Sequence, residues 1–590
     1  MGLIGVVVFA AVFLLAAYRL YGRLLARLFR LDPTAPTPSE TMEDGLDYVP
    51  TPPKYLLGQH FSAIAAAGPI VGPILAGAMF GWLPALVWIL VGSVFIGGVH
   101  DLGSLVASIR HRARSIAEVV KEHMSRRSYV LFLLFVYIAL VYIIVAFTDI
   151  VAGSFVGSQV LEDGTRVTGG GIATSSLLYL ALPVAMALLM RYAKLGLGWA
   201  TAIFVPLVGV AIAAGQWIPF DLGAILGLSD IQATKLWGAI LLGYCVIAAV
   251  VPVWLLLQPR GHLGGWFLYA ALASGILGIV IGGATGTATI AYPAFRGFTS
   301  ESGQSLVPIL FITIACGACS GFHCLIASGT TSKQLRRETD AKAIGYGSML
   351  LEAMVATISL ACLMMLPLDA AKGLQPNSIY AAGIGRFLAM VGIPMAVAVS
   401  FGLLAFTTFV YDTLDVCTRL GRYIIQELTG ITGPTGRWGG TILTAGLPLF
   451  FLLTTPLDAQ GRPVPAWKTF WALFGASNQL LAALALVGIT VWLWRTRRAW
   501  WVWPVVGLPT LLMYVMSAWA LGGFVVDGFA PFARSLAVGD LPRSPVPWVA
   551  VVLLALAALL LIEAIVVFAG RKDDAPGATG SEGATAFQAV

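Results

Sequence analysis

Runs of about 20 apolar residues recur from one end of this chain to the other, separated by short polar or basic segments, and each is long enough to cross about 30 Å of hydrocarbon as a helix. In lipid every backbone N–H and C=O must be paired within the protein, so such a chain folds as an all-α polytopic membrane protein. A membrane β-barrel would show alternating segments of about 10 residues instead. Composition agrees: 58% of the 590 residues are hydrophobic and 11% are charged, against about 25% charged in a globular domain. Mean hydropathy is +0.89. We count about fifteen spans, centred near residues 11, 71, 97, 140, 181, 205, 246, 274, 316, 355, 397, 445, 479, 510 and 558.

With the N-terminus outside, the loops rich in Lys and Arg fall on the cytoplasmic side, as the positive-inside rule requires, and the C-terminus is cytoplasmic. The net charge of +7 is thus a topology signal, and no nucleic-acid partner is expected. The run 2–17 lacks a basic residue before it and is followed by Arg19, Arg23, Arg27 and Arg30. It is expected to be a retained first span, not a cleaved signal. Six cysteines, five of them in expected spans, outline no disulfide framework. Residues 31–54 are rich in Pro, Thr and acidic groups and should be extended on the inner face. The stretch 115–127 has Ile116, Val119, Val120 and Met124 at helical spacing, as in an amphipathic helix on the inner leaflet.

Five spans depart from plain Leu, Ala and Val. Span two contains GPIVGP (68–73), whose two prolines remove helical hydrogen bonds while Gly68 and Gly72 admit other backbone angles, so an intact helix is not expected. Span nine contains CGACSGFHC (316–324). There Cys316, Cys319 and His323 share about one helix face, but Cys324 points away, and Gly317 and Gly321 have the spacing of close helix packing. Small buried residues are the favoured reading of the cysteines, and no metal is expected. His323 has two readings: a satisfied buried histidine, or a substrate or proton ligand backed by Ser320, Thr330 and Thr331.

Span three carries His100 and Asp101 about two turns before Arg110, and span ten carries Glu352; each is either a structural ion pair or a proton carrier. Asn478 and Gln479 at the centre of span thirteen either cross-link helices or line a pocket. Spans two and nine, each followed by a span with ionisable residues, run in opposite directions on this topology. Inverted repeats with discontinuous helices meeting at the site have that arrangement.

The stretches GPIVGP, HDLGSLVASIRHRARSIAEVV (100–120), CGACSGFHCLIASGTTSKQLRRETDAKAIGYGSMLLE (316–352), TLDVCTRLGRYIIQEL (413–428) and WALFGASNQLLAA (471–483) resemble the carbon starvation protein A family. The resemblance extends from about residue 50 to 490. It implies a bacterial inner-membrane secondary transporter, with proton-coupled pyruvate uptake in some members and peptide uptake proposed for others. It also implies two inverted five-helix repeats like those of the amino acid, polyamine and organocation superfamily. Cys319 and Cys324 stand where small or aliphatic residues are expected, and Ala472 where proline is usual.

On this reading the chain comprises a first span with its basic end (1–30), a Pro-rich cytoplasmic segment (31–58), a transporter core (59–490), C-terminal spans (491–570) and a disordered tail (571–590). It is expected to be no enzyme, to need no cofactor and to import a small carboxylate, pyruvate first, by proton symport. A peptide importer is the alternative, and a metal-dependent membrane sensor or enzyme a more distant one. Gly68, Gly72, Ser320, Gly321, His323, Thr330, Thr331, Asn478 and Gln479 are the candidate substrate residues, and the exposed N–H groups of half-helices would suit a carboxylate. His100, Asp101 and Glu352 are the candidate proton carriers. Sodium is the alternative coupling ion, and the oligomeric state is left open.

Overall fold

Apolar side chains leave the backbone as the main polar group in each run, and helix is how a single segment satisfies it. The computed structural model describes residues 2–45, 48–65, 67–160, 166–252, 254–431, 433–454, 464–536, 538 and 541–569. The expected disordered tail, 571–590, lies outside them.

The principal helices in chain order are α1 (Leu3–Leu28), α2 (Pro53–Ile64), α3 (Gly68–Phe80), α4 (Trp82–Arg110), α5 (Ile116–His123), α6 (Arg126–Ser154), α7 (Gly169–Tyr192), α8 (Leu197–Trp217), α9 (Asp230–Val250) and α10 (Leu257–Thr285). They continue as α11 (Leu306–Thr313), α12 (Phe322–Gly329), α13 (Glu338–Met364), α14 (Pro376–Ala389), α15 (Met395–Thr429), α16 (Gly433–Leu453), α17 (Ala466–Arg497), α18 (Trp503–Ser535) and α19 (Pro545–Ala569). A short hairpin, β1 (Ser158–Val160) with β2 (Arg166–Thr168), caps the α6–α7 connection.

Twelve helices among the described residues are long and apolar enough to cross a membrane, or thirteen if the bent pair α2 and α3 is one span. The difference from about fifteen has two sources. The segment near 316 is split into α11 and α12, of eight residues each. The segment near 445, α16, begins with glycines and Arg437, which dilute its apolarity. The expected span near 397 also changes: α15 is 35 residues long and carries Arg419 and Arg422 buried within it.

The helix ends sort into two faces. At the basic one, Arg110 pairs with Glu338 at 2.7 Å, Arg495 donates to the His123 carbonyl, and Glu563 of α19 accepts from Ser125 at 2.7 Å. At the other, Trp82 and Leu83 donate to Pro293 and Ala294, while Ala291 and Tyr292 donate to Met364. Hence α4 runs toward the basic face and α13 away from it. The most apolar stretch of α17 is 94% buried, against 28% for α1 and 22% for α19, so α17 threads the core and the other two form the rim.

Two expectations at the basic face are refined. The amphipathic residues Ile116, Val119 and Val120 of α5 are buried in protein, with Val120 packed on Gly488 of α17, so its apolar side does not lie on lipid. The Pro-rich segment straps the loop between α12 and α13: Val49 and Thr51 donate to Lys333 and Gln334, and Ser39 donates to the Leu335 carbonyl at 2.8 Å.

Candidate functional site

Both expected interruptions occur, and they adjoin. Helices α2 and α3 meet at 46°, but the GPIVGP stretch itself is helical. The break falls just ahead of it, which puts Pro69 in the first turn of α3, where a missing N–H costs nothing. In the second interruption residues 314–321 leave the helix between α11 and α12. A Cβ on Gly68 would collide with Cys316, and one on Gly72 would lie 2.5 Å from the Thr313 carbonyl oxygen. These glycines therefore serve backbone approach between the two broken helices.

Helix α17 splints the second interruption, and it runs unbroken through Ala472. Gln479 donates to the Phe311 carbonyl near the end of α11. Its neighbour Asn478 accepts from the Phe322 N–H at 2.9 Å, at the start of α12, and its carbonyl accepts from Gly321. Asn478 also donates to the Ser320 hydroxyl at 3.0 Å. The Phe322 and Gly321 N–H groups, expected to be open to a carboxylate, thus already have partners. Cys316, Cys319 and Cys324 are free and buried, and their sulfurs with the His323 ring do not converge on a common point as metal ligands would.

The ionisable residues form a row. His100 Nδ1 lies 2.8 Å from Asp101 Oδ1, His323 Nδ1 lies 2.8 Å from Asp101 Oδ2, and His323 Nε2 lies 3.3 Å from Glu352 Oε2. All four side chains are fully buried. An Asp101 carboxylate only accepts, so both Nδ1 atoms donate to it. His323 Nε2 then faces Glu352 in poor hydrogen-bond alignment, and neither has another partner. Two bare lone pairs in contact would repel at low dielectric; one proton between His323 and Glu352 removes the conflict. The row joins α4, α12 and α13, with His323 linking Asp101 to Glu352.

His60 of α2 shares a 2.8 Å hydrogen bond with Thr331 just past α12. Nothing in the sequence singled out this contact. The sequence reading also missed a second buried cluster. Arg260 of α10 pairs with Asp412, at 2.6 Å, and with Asp415 of α15, and Ser62 of α2 donates to Asp412. Tyr244 of α9 donates to Asp415 at 2.9 Å. The signal was available: two aspartates three positions apart within an apolar helix place both carboxylates on one face.

A cavity of about 630 Å³ opens beside α5 and reaches Leu325, Ser328 and Thr330 of α12 and its end, with Arg114, Lys121, Lys333 and Arg419 in its wall along with Glu118 and Glu427. Of the candidate substrate residues, Thr330 is thus at a cavity, Thr331 is on His60, and Gly68, Gly72, Ser320, Gly321, Asn478 and Gln479 are packed at the interruptions.

A family model described as carbon starvation protein CstA matches residues 2–377 and 369–520. The pyruvate/proton symporter BtsT of Escherichia coli K12 is 33% identical over 595 aligned residues, covering 86% of this chain and 80% of that protein. The peptide transporter CstA of the same organism is 32% identical, covering 87% and 80%. A crystal structure of the Eremococcus coleocola manganese transporter with an aromatic bis-isothiourea compound aligns at a TM-score of 0.46 with 11% identity, over 89% of this chain and 99% of that one. The chain belongs to the carbon starvation protein CstA family.

Proposed function

We propose that this protein is a secondary transporter of the bacterial inner membrane that imports a small carboxylate, pyruvate first, together with a proton. The observation that carries the reading is the buried row His100–Asp101–His323–Glu352, which needs one proton between its last two members. Loading or losing that proton changes the charge where the two interrupted helices meet, and a coupled carrier requires such a change as its site alternates in exposure. The four basic side chains around the large cavity favour an anionic cargo on its path to Thr330. A relative named as a pyruvate/proton symporter supports the same reading.

The peptide alternative also has support. Other relatives are named as peptide transporters, the cavity of about 630 Å³ exceeds what a three-carbon acid fills, and Glu118 and Glu427 offer counter-charges for an amine. Sodium remains the alternative coupling ion.

The spans following the two interruptions each contain a π-helical segment, Ser93–Gly97 in α4 and Lys342–Gly347 in α13. They run antiparallel and touch where Gly345 lies against Leu102. This pairing supports an inverted repeat of the superfamily type. Counting α2 with α3, α11 with α12, and α16 as crossings gives fifteen, with the N-terminus outside and the basic face in the cytoplasm. In proteoliposomes an imposed pH gradient should drive pyruvate uptake, and Asp101→Asn should abolish the dependence; unchanged coupling removes Asp101 from the mechanism. Inhibition of that uptake by dipeptides, with dipeptide accumulation, would select the peptide reading.

A further inference from the structure

At the basic face, beyond the last turn of α4, three potential metal ligands converge away from the proton row. His111 Nε2 lies 2.8 Å from His123 Nε2 and 4.0 Å from Glu122 Oε1, and the three ligand atoms lie within 4.8 Å of one another. We propose that His111, Glu122 and His123 form a binding site for a divalent transition-metal ion of the zinc class, which clips the end of α4 to the end of α5.

The second hydrogen-bonding atom of His111 is already committed. Its Nδ1 lies 2.6 Å from the Ala107 carbonyl, which only accepts, so Nδ1 carries the hydrogen and Nε2 presents a lone pair. Metal-bound histidines are oriented in this way. Two imidazoles at one ion are bonded at about 2.0–2.1 Å and sit roughly 3.3 Å apart in tetrahedral geometry, so the pair need separate by only about half an ångström. The His111 side chain is 8% exposed, whereas Glu122 is 55% exposed and free to swing inward. The ring of Trp492 meets His111 edge to face at 5.6 Å and holds it in place. Two imidazoles with one carboxylate suit zinc, copper or nickel better than magnesium or calcium, and they leave a coordination position for water. Arg495, which donates to the His123 carbonyl, opposes a dication, and the Glu122 carboxylate offsets it.

The site has a structural consequence. Ile116, Ala117, Glu118 and Lys121 of α5 form one wall of the large cavity, so an ion at the far end of α5 would hold that wall against the core. Any effect on uptake rests on the transport reading; binding itself does not.

The test is zinc titration of the purified full-length protein, freed of any histidine tag. It should bind one Zn²⁺ per chain. His111→Ala and His123→Ala should each lose more than the roughly 10- to 100-fold that removing an outer partner costs, with the Glu122→Gln variant weakened less. Co²⁺ should give a visible spectrum of nitrogen and oxygen ligation without a thiolate band. Melting curves of the metal-free variants check folding, and Glu122→Gln, altered at an exposed side chain, keeps the test decisive if a histidine variant misfolds. Absence of stoichiometric zinc, unchanged affinity in all three variants, or a thiolate band that assigns the metal to Cys316, Cys319 or Cys324 would overturn the proposal.

Discussion

At the scale of the residue, the row from His100 to Glu352 depends on which atom holds a proton. Asp101→Asn replaces an acceptor with an amide that must donate, and it meets two imidazole N–H groups. Some of its effect will therefore be lost packing. Glu352→Gln is the cleaner probe: its amide can donate to His323 Nε2, 3.3 Å away in the native row, yet can never give up that proton. Counterflow exchange of labelled pyruvate should persist in this variant while accumulation driven by a pH gradient disappears; retained accumulation would place the coupling proton elsewhere. The members of the row were legible in the sequence as ionisable groups in apolar runs. Their order was not, because Asp101 and His323 are 222 positions apart and only the packing of α12 on α4 puts them in contact.

At the scale of the element, α17 acts as a splint, and its two amides hold opposite sides of one gap. Asn478→Ala removes the acceptor of the Phe322 N–H and should cost about 1 kcal/mol, the usual loss for a helix cap. This should read as a lower melting temperature and faster hydrogen exchange at residues 321–324. The Arg260 cluster carries a larger load. Removing one member of a buried ion pair costs about 3–5 kcal/mol, whereas replacing the whole group by apolar residues is often neutral. Arg260→Met should therefore fail to accumulate in the membrane, and the triple variant with Asp412→Leu and Asp415→Leu should recover expression; no difference between them would mean that the cluster is hydrated.

Interruption itself was legible from the prolines and glycines of span two and the small residues of span nine. The place of the first break was not, because a proline permits a first helical turn as readily as it ends a helix. The aspartates of α15 escaped notice because Arg419 and Arg422 make the sequence beyond them read as a loop, although in the fold those guanidiniums donate to the Ala248, Ala249 and Val251 carbonyls.

At the scale of the whole molecule, the sorting of helix ends makes orientation a direct measurement. Lys121 lies at the basic face and Lys372 at the other, both with more than 40% of the side chain exposed. The six native cysteines are buried, so single cysteines can be introduced without removing them. An impermeant maleimide should label Lys372→Cys in intact cells and Lys121→Cys only after the membrane is opened; the reverse pattern would invert the molecule. The Pro-rich segment matters at this scale too. Its bonds join Ser39 to Leu335 across 296 positions of sequence, so the loop between α12 and α13 and the segment that follows α1 must travel together. On the transport reading, any rocking that bares the row from His100 to Glu352 to the basic face would be passed on to the molecule's outer edge, where a reporter could follow each turnover without touching the cargo's route.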